Sequence, residues 1–288
     1  MPEGLIATIV FSLLSAASFG FTAHLQAKGL DRSSPQVAAR LNLATIFGLS
    51  MLAAPFYLDP AMFWTKGAWI FAAVGVLFPF LTMQLQIASI PRVGATLTIA
   101  LGNFVPFFAV VPAVFLLGET LGLQGFAGLL VMTAGLFAAT MRWGGLARGF
   151  PLWVVALPLG AAALRGFGMP LIKFGQETAP DPMFGLLVMS CVSTLLIYGL
   201  GALKGTLRHP QGNAGWLVAA GASQWCGLVF MAFALDSGDV VIATPIIAIA
   251  PLCGLLYGAY IFRSETLGRR HVLTASLVVV GGILLVTR

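Results

Sequence analysis

Polar residues along this chain come in short clusters, separated by apolar runs of about twenty residues. A helix needs about 20 mostly apolar residues to cross the hydrocarbon core of a bilayer. Breaks at Gly, Pro and charged residues mark ten such runs, roughly at 5–27, 36–57, 67–89, 93–117, 121–141, 151–173, 183–204, 214–236, 239–262 and 268–287. The connections are short, so the pattern leaves no soluble domain of any size. It predicts an all-α integral membrane protein with ten transmembrane helices. In the first run, "MPEGLIATIVFSLLSAASFG", Glu3 stands where a secretion signal would carry positive charge. The apolar stretch continues to spanning length, so it is read as a membrane helix. Trp64, Trp69, Trp143, Trp153 and Trp216 fall at predicted helix ends, as an interfacial aromatic belt requires. Trp225 falls midway along the eighth run.

The runs repeat. A shift of 146 residues lays Gly20–Phe21 on Gly166–Phe167, Gly135 on Gly281, and Glu119-Thr120-Leu121-Gly122 on Glu265-Thr266-Leu267-Gly268. Pro106 and Pro251, and Trp69 and Trp216, match within one residue. The same shift carries each run onto the fifth one after it. An odd number of crossings reverses direction through the membrane. The sequence therefore predicts two inverted five-helix repeats, residues 1–145 and 146–288, around a central cavity.

In these features the chain resembles the drug/metabolite transporter superfamily, in its EamA-domain branch. There each half ends with a proline-bearing helix, a short loop containing Glu, and a Gly-rich last helix. Here these are Pro106, Glu119 and Gly135, then Pro251, Glu265 and Gly281–Gly282. The resemblance implies a basket of helices around a cavity. It also implies substrates drawn from amino acids, nucleotide sugars, phosphorylated sugars and drugs. Within the branch the chain is most similar to bacterial amino-acid exporters, including those for aromatic amino acids. The expected protein is an exporter in the bacterial inner membrane that works as a monomer by alternating access, without cofactor or metal.

Composition narrows the classes. Only 8% of residues are charged, 59% are hydrophobic, and the mean hydropathy is +0.99. A soluble domain carries about 25% charged residues. The net charge of +6 comes from scattered Lys and Arg, with no basic run suited to nucleic acid. Cys191, Cys226 and Cys253 all lie in apolar runs without Cys-x-x-Cys spacing, and are read as small buried hydrophobes. Eleven Lys and Arg residues lie in or beside the loops after odd-numbered runs, and three (Lys66, Lys173, Arg288) lie on the other side. The positive-inside rule then puts both termini outside. The resemblance implies cytoplasmic termini.

Arg165 is the strongest candidate for a site. It lies near the middle of the sixth run, where an arginine costs roughly 2.5–3.5 kcal/mol on translocon scales. It either clamps a substrate carboxylate or pairs structurally with carbonyls. Trp225 and Gln224 either wall a pocket or pack between helices. Asn103, three residues before Pro106, either meets carbonyls freed by the proline or ties helices together. Gln84 with Gln86, and His24 with Gln26, lie towards run ends and either line the mouth of a cavity or sit at the interface. Pro106, Pro112, Pro245 and Pro251 are expected to bend helices and to act as hinges. Ser12, Ser15 and Ser18 form a small-residue stripe suited to packing. Glu119 and Glu265 are expected at helix junctions, each serving the free N–H groups of the helix that follows it.

None of the nine acidic residues falls in the middle of a run, which argues against carboxylate-based exchange of protons for cationic drugs. No HExxH, paired mid-membrane Asp or Gly-x-Ser-x-Gly elbow supports an intramembrane enzyme. His24, His209 and His271 are too dispersed for a metal site. A channel or a scaffold remains the other class.

Overall fold

The structure, a computed structural model, describes residues 3–31, 33–140, 151–179, 181–206, 214–263 and 269–287. The expected junction at 145/146, Glu265, Trp143, His209 and the loop cations Arg32, Arg142, Arg148 and Arg208 lie outside the described residues.

Among the described residues the chain is helical, with thirteen α-helices and no strand. They are α1 Glu3–Leu30, α2 Pro35–Ala53, α3 Lys66–Gly75, α4 Thr82–Val93, α5 Ala95–Gly102, α6 Val105–Leu117, α7 Leu123–Thr140, α8 Ala156–Gln176, α9 Pro182–Leu203, α10 Ala214–Ser237, α11 Val240–Ile247, α12 Ala250–Tyr260 and α13 Arg269–Val286. Eight segments are long and apolar enough to cross a membrane, among them Gly4–Leu30, Lys66–Val93, Trp153–Gln176 and Val240–Tyr260. Two shorter apolar helices, Leu123–Ala138 and Thr274–Val286, occupy the fifth and tenth expected runs, and both adjoin residues outside the described set.

Local chemistry sets the ends. The Asp181 carboxylate accepts the Met183 N–H at 2.7 Å, and Pro182 opens α9 with no N–H to satisfy. Ser34 and Pro35 do the same for α2, with the Val37 N–H donating to the Ser34 hydroxyl at 3.4 Å. Gly118 ends α6 at φ +64°, a conformation that L side chains rarely adopt.

Three expected runs are broken partway. The third breaks at Phe78–Pro79, where Phe78 leaves helical geometry and the peptide bond is cis. The fourth breaks at Asn103–Phe104 and the ninth at Ala248–Ile249. In both of those, a proline sits in the first turn of the next helix, Pro106 in α6 and Pro251 in α12. A proline offers no N–H to the carbonyl four residues back, so the ladder is interrupted there. Pro112 and Pro245 lie inside α6 and α11, which continue through them.

Long-range packing joins helices far apart in sequence. Helix α1 lies along α10 and against α11 and α12, while α8 lies against α3, α4, α5 and α6. Helix α2 packs on α9 and α10, α9 on α3, and α7 on α13. Phe71, Phe184, Met169, Ile172, Leu43 and Met231 fill the centre. Backbones meet directly where α7 crosses α13: a Cβ on Gly281 would stand 2.6 Å from the Met132 nitrogen and 2.7 Å from the Gly128 carbonyl. The serine stripe joins α1 to α10. Ser15 donates to the Gly227 carbonyl at 2.8 Å, and Ser223 donates to the Ser18 carbonyl at 2.9 Å. Trp64, Trp69, Trp153 and Trp216 are all exposed at segment ends. Cys226 is also exposed, against the expectation of a buried hydrophobe, because its side of α10 faces out from the bundle.

Candidate functional site

Arg165 sits at the middle of α8 among small residues. Gly166 turns one face of the helix onto α6, where an added Cβ would meet Phe108 at 2.6 Å. Gly168 faces Phe78. The Arg165 guanidinium carbon lies 5.7 Å from the Phe19 ring centroid and 5.6 Å from that of Phe78. The first ring comes from α1 and the second from the break before α4. Phe19 in turn rests on Gly227, where an added Cβ would meet its ring at 2.7 Å, so α10 borders the same place. The side chain is half-buried, and among the described residues its buried Nε has no hydrogen-bond partner.

This is a cation held between two aromatic faces with a donor left over. The ring quadrupoles steady the charge. They offer no lone pair to the guanidinium N–H groups, and a buried donor without a partner costs about 1–3 kcal/mol. A planar carboxylate answers both needs, because it neutralises the charge and accepts two parallel N–H bonds.

The other candidates lie elsewhere. Gln224 and Trp225 direct their polar atoms to α2: the Asn42 Nδ2 donates to the Gln224 Oε1 at 2.6 Å, and the Trp225 Nε1 donates to the Ser50 hydroxyl at 3.0 Å. Asn42 is buried, and its Oδ1 has no partner among the described residues. Asn42 and Ser50 were not singled out from sequence. Asn103 donates from Nδ2 to the Leu136 carbonyl at 3.1 Å, tying the α5/α6 break to α7. His24 bonds through Nε2 with the Gly254 carbonyl at 2.7 Å and stacks on Phe262, with centroids 4.7 Å apart. Gln84 lines a cavity of about 340 Å³ at the end of the bundle where α1 finishes, with Arg40, Lys204 and Thr206. A second cavity, of about 620 Å³, lies at the opposite end between Thr8, Thr120, Ser237 and Asp239.

Glu119 departs from its expected role. It does not cap α7, the helix that follows it. Its Oε1 and Oε2 accept the backbone N–H groups of Val240 and Val241 at 2.8 and 2.9 Å, so it caps α11. Lys173 of α8 donates to the same Oε1 at 3.0 Å and to the Gly238 carbonyl at 2.7 Å. Sequence reasoning placed Lys173 at a span end and gave it no partner. The only sequence signal for this cluster was the duplicated Glu.

The sequence pattern of the EamA-like transporter family matches the chain twice, over residues 6–141 and 152–287. The chain belongs to the EamA-like transporter family. The two matches start 146 residues apart, the same offset that aligns the repeated residues. They leave only the first few residues, the last one and the central connection uncovered. No curated protein matches this family member, but 29 chains of solved structures do. One of them, titled "Crystal structure of protein", superposes with a TM-score of 0.81 at 15% identity, covering 96% of this chain and 95% of that one. At that identity the likeness establishes the fold alone. For an EamA-like transporter the consequence is a multi-pass membrane protein that handles small molecules.

Proposed function

We propose that this EamA-like transporter exports small amino-acid-like solutes, aromatic ones among them, across a bacterial inner membrane by alternating access. It acts as a monomer without a cofactor and is not an enzyme. The observation that carries the reading is the Arg165 guanidinium at mid-span, placed between Phe19 and Phe78 with a buried N–H left over. A substrate carboxylate fits the cation, and an aromatic or apolar side chain fits the rings. A cationic solute is repelled, and none of the nine acidic residues falls mid-run to offset that repulsion.

The mechanism rests on ten spans in two halves, 1–145 and 146–288, related by inversion. Packing supports that arrangement. The partners of α1, namely α10 and the broken segment α11–α12, correspond under the repeat to the partners of α8, namely α3–α4 and the broken segment α5–α6. The pairs α2 with α9 and α7 with α13 are each their own counterparts. The breaks at Asn103–Phe104 and Ala248–Ile249 also correspond, each just before a proline. In the proposed cycle the halves rock about the Arg165 site. Pro106 and Pro251 supply flexure at the breaks, and Pro112 and Pro245 supply it within the helices. Trp225 and Gln224 form the α2-facing wall of the path, Asn103 braces the break beside it, and Gln84 and His24 lie towards its mouth at the end where α1 finishes.

Counterflow of labelled phenylalanine into proteoliposomes tests the reading. The native protein accumulates label, Arg165→Lys retains part of the activity, and Arg165→Gln loses most of it while remaining folded. Full activity in Arg165→Gln removes the assignment.

A further inference from the structure

The Glu119 cluster joins the two expected halves at the end of the bundle where α1 begins. Glu119 lies in the short loop between α6 and α7, and the partners of its carboxylate belong to α8 or to the start of α11. A local side chain would ordinarily cap α11. Asp239 precedes it, and its carbonyl accepts the Ile242 and Ala243 N–H groups, but its side chain makes no capping bond to the helix. The cap comes instead from 121 residues earlier in sequence, on a carboxylate whose side chain is 4% exposed. Lys173 completes the cluster by holding both that carboxylate and the Gly238 carbonyl in the turn before α11.

We infer that Glu119, Lys173 and the first turn of α11 form a latch that holds this end of the transport path shut and is released in every cycle. The inference rests on the proposed alternating-access reading. Its physical basis is an all-or-none cost. A buried carboxylate that loses two N–H donors and an ammonium partner while still dry is heavily penalised. Once the halves part far enough for water to enter, water replaces all three. Intermediate openings are unfavourable, and the end has two states. A cap drawn from within α11 would leave α11 free to move without reference to the first half. A cap drawn from the α6–α7 loop ties the movement of one half to the other. The 620 Å³ cavity lined by Thr120, Gly238 and Asp239 borders the same cluster, so water stands beside the latch when it releases.

Thiol accessibility tests the latch without any substrate. In a background with Cys191, Cys226 and Cys253 changed to alanine, Ala243→Cys places a probe one turn deeper on α11, where the residue is fully buried. Ile197→Cys places a second probe in the cavity at the opposite end. Glu119→Gln should raise labelling of the first probe by a membrane-impermeant methanethiosulfonate about tenfold, the size of one lost charge-assisted contact. Labelling of the second probe should fall. Lys173→Gln, which leaves the α11 cap in place, should act in the same direction and more weakly. It also serves as the test if Glu119→Gln does not fold. Unchanged labelling in folded variants, or an equal rise at both probes, overturns the latch and leaves a purely structural cap. Because phenylalanine counterflow is read separately, a shift in accessibility without amino-acid transport would retain the latch and discard the substrate.

Discussion

Gly281→Ala tests the helix contact on which the fifth and tenth segments depend. A Cβ built there would lie 2.6 Å from the Met132 nitrogen, 2.7 Å from the Gly128 carbonyl and 2.8 Å from the Met132 Cβ, whereas ordinary contact begins at 3.4 Å. Two of these three atoms are backbone, so no rotamer change can relieve the clash. The helices must part by about 0.7 Å, and such overpacking costs about 1–3 kcal/mol. Gly282 supplies the control, since it is the adjacent residue of the same helix and nothing lies within 4 Å of its added Cβ. Gly282→Ala should be neutral or gain up to about 1 kcal/mol from helix propensity. The two variants should then differ by about 1–4 kcal/mol, which at about 2–4 °C per kcal/mol separates their melting temperatures by roughly 2 °C or more. Thermal unfolding of the purified variants in one detergent reads the difference. Equal melting temperatures would refute direct backbone contact between α7 and α13.

Two further outcomes follow from the same physics. Asn42→Leu and Gln224→Leu each break the 2.6 Å contact between α2 and α10, and a double-mutant cycle should give a coupling of about 0.6 kcal/mol, the average for polar ties in membrane bundles, and no more than about 1.7 kcal/mol; zero coupling would mean that the two amides do not bond. Eleven of the fourteen Lys and Arg residues other than Arg165 fall in or beside the loops that follow odd-numbered runs, so on the ten-span reading a phosphatase fused after Arg288 should be active outside the cell, and an inactive fusion would put the termini in the cytoplasm.

Much of the fold was legible because lipid leaves so few choices. Apolar runs of spanning length become helices, and the repeat of Glu-Thr-Leu-Gly and of two prolines exposed the duplication before any coordinate. Arg165 stood out because a charge in such a run is expensive. Pairing was not legible. These helices are apolar nearly all round, so no periodicity tells which face turns inward. Nothing local in Gln224 points to Asn42, 182 residues away, or in Glu119 to Val240, 121 residues away. The break at Phe78 was not legible within the third run, 67–89, because Pro79 beside it belongs to no repeated pair. That break sets one of the two rings over Arg165, so part of the site was hidden with it.

The central claim is that a mid-membrane guanidinium between two rings selects a carboxylate. Competition in counterflow measures this most directly, with unlabelled phenylalanine set against phenylalaninamide, which keeps the ring and loses the carboxylate. In the native protein the acid should compete at least about tenfold better than the amide, as one charge-assisted bidentate contact implies, and Arg165→Gln should abolish the preference in whatever transport remains. Equal competition by acid and amide in the native protein, or an unchanged preference in Arg165→Gln, would contradict the account.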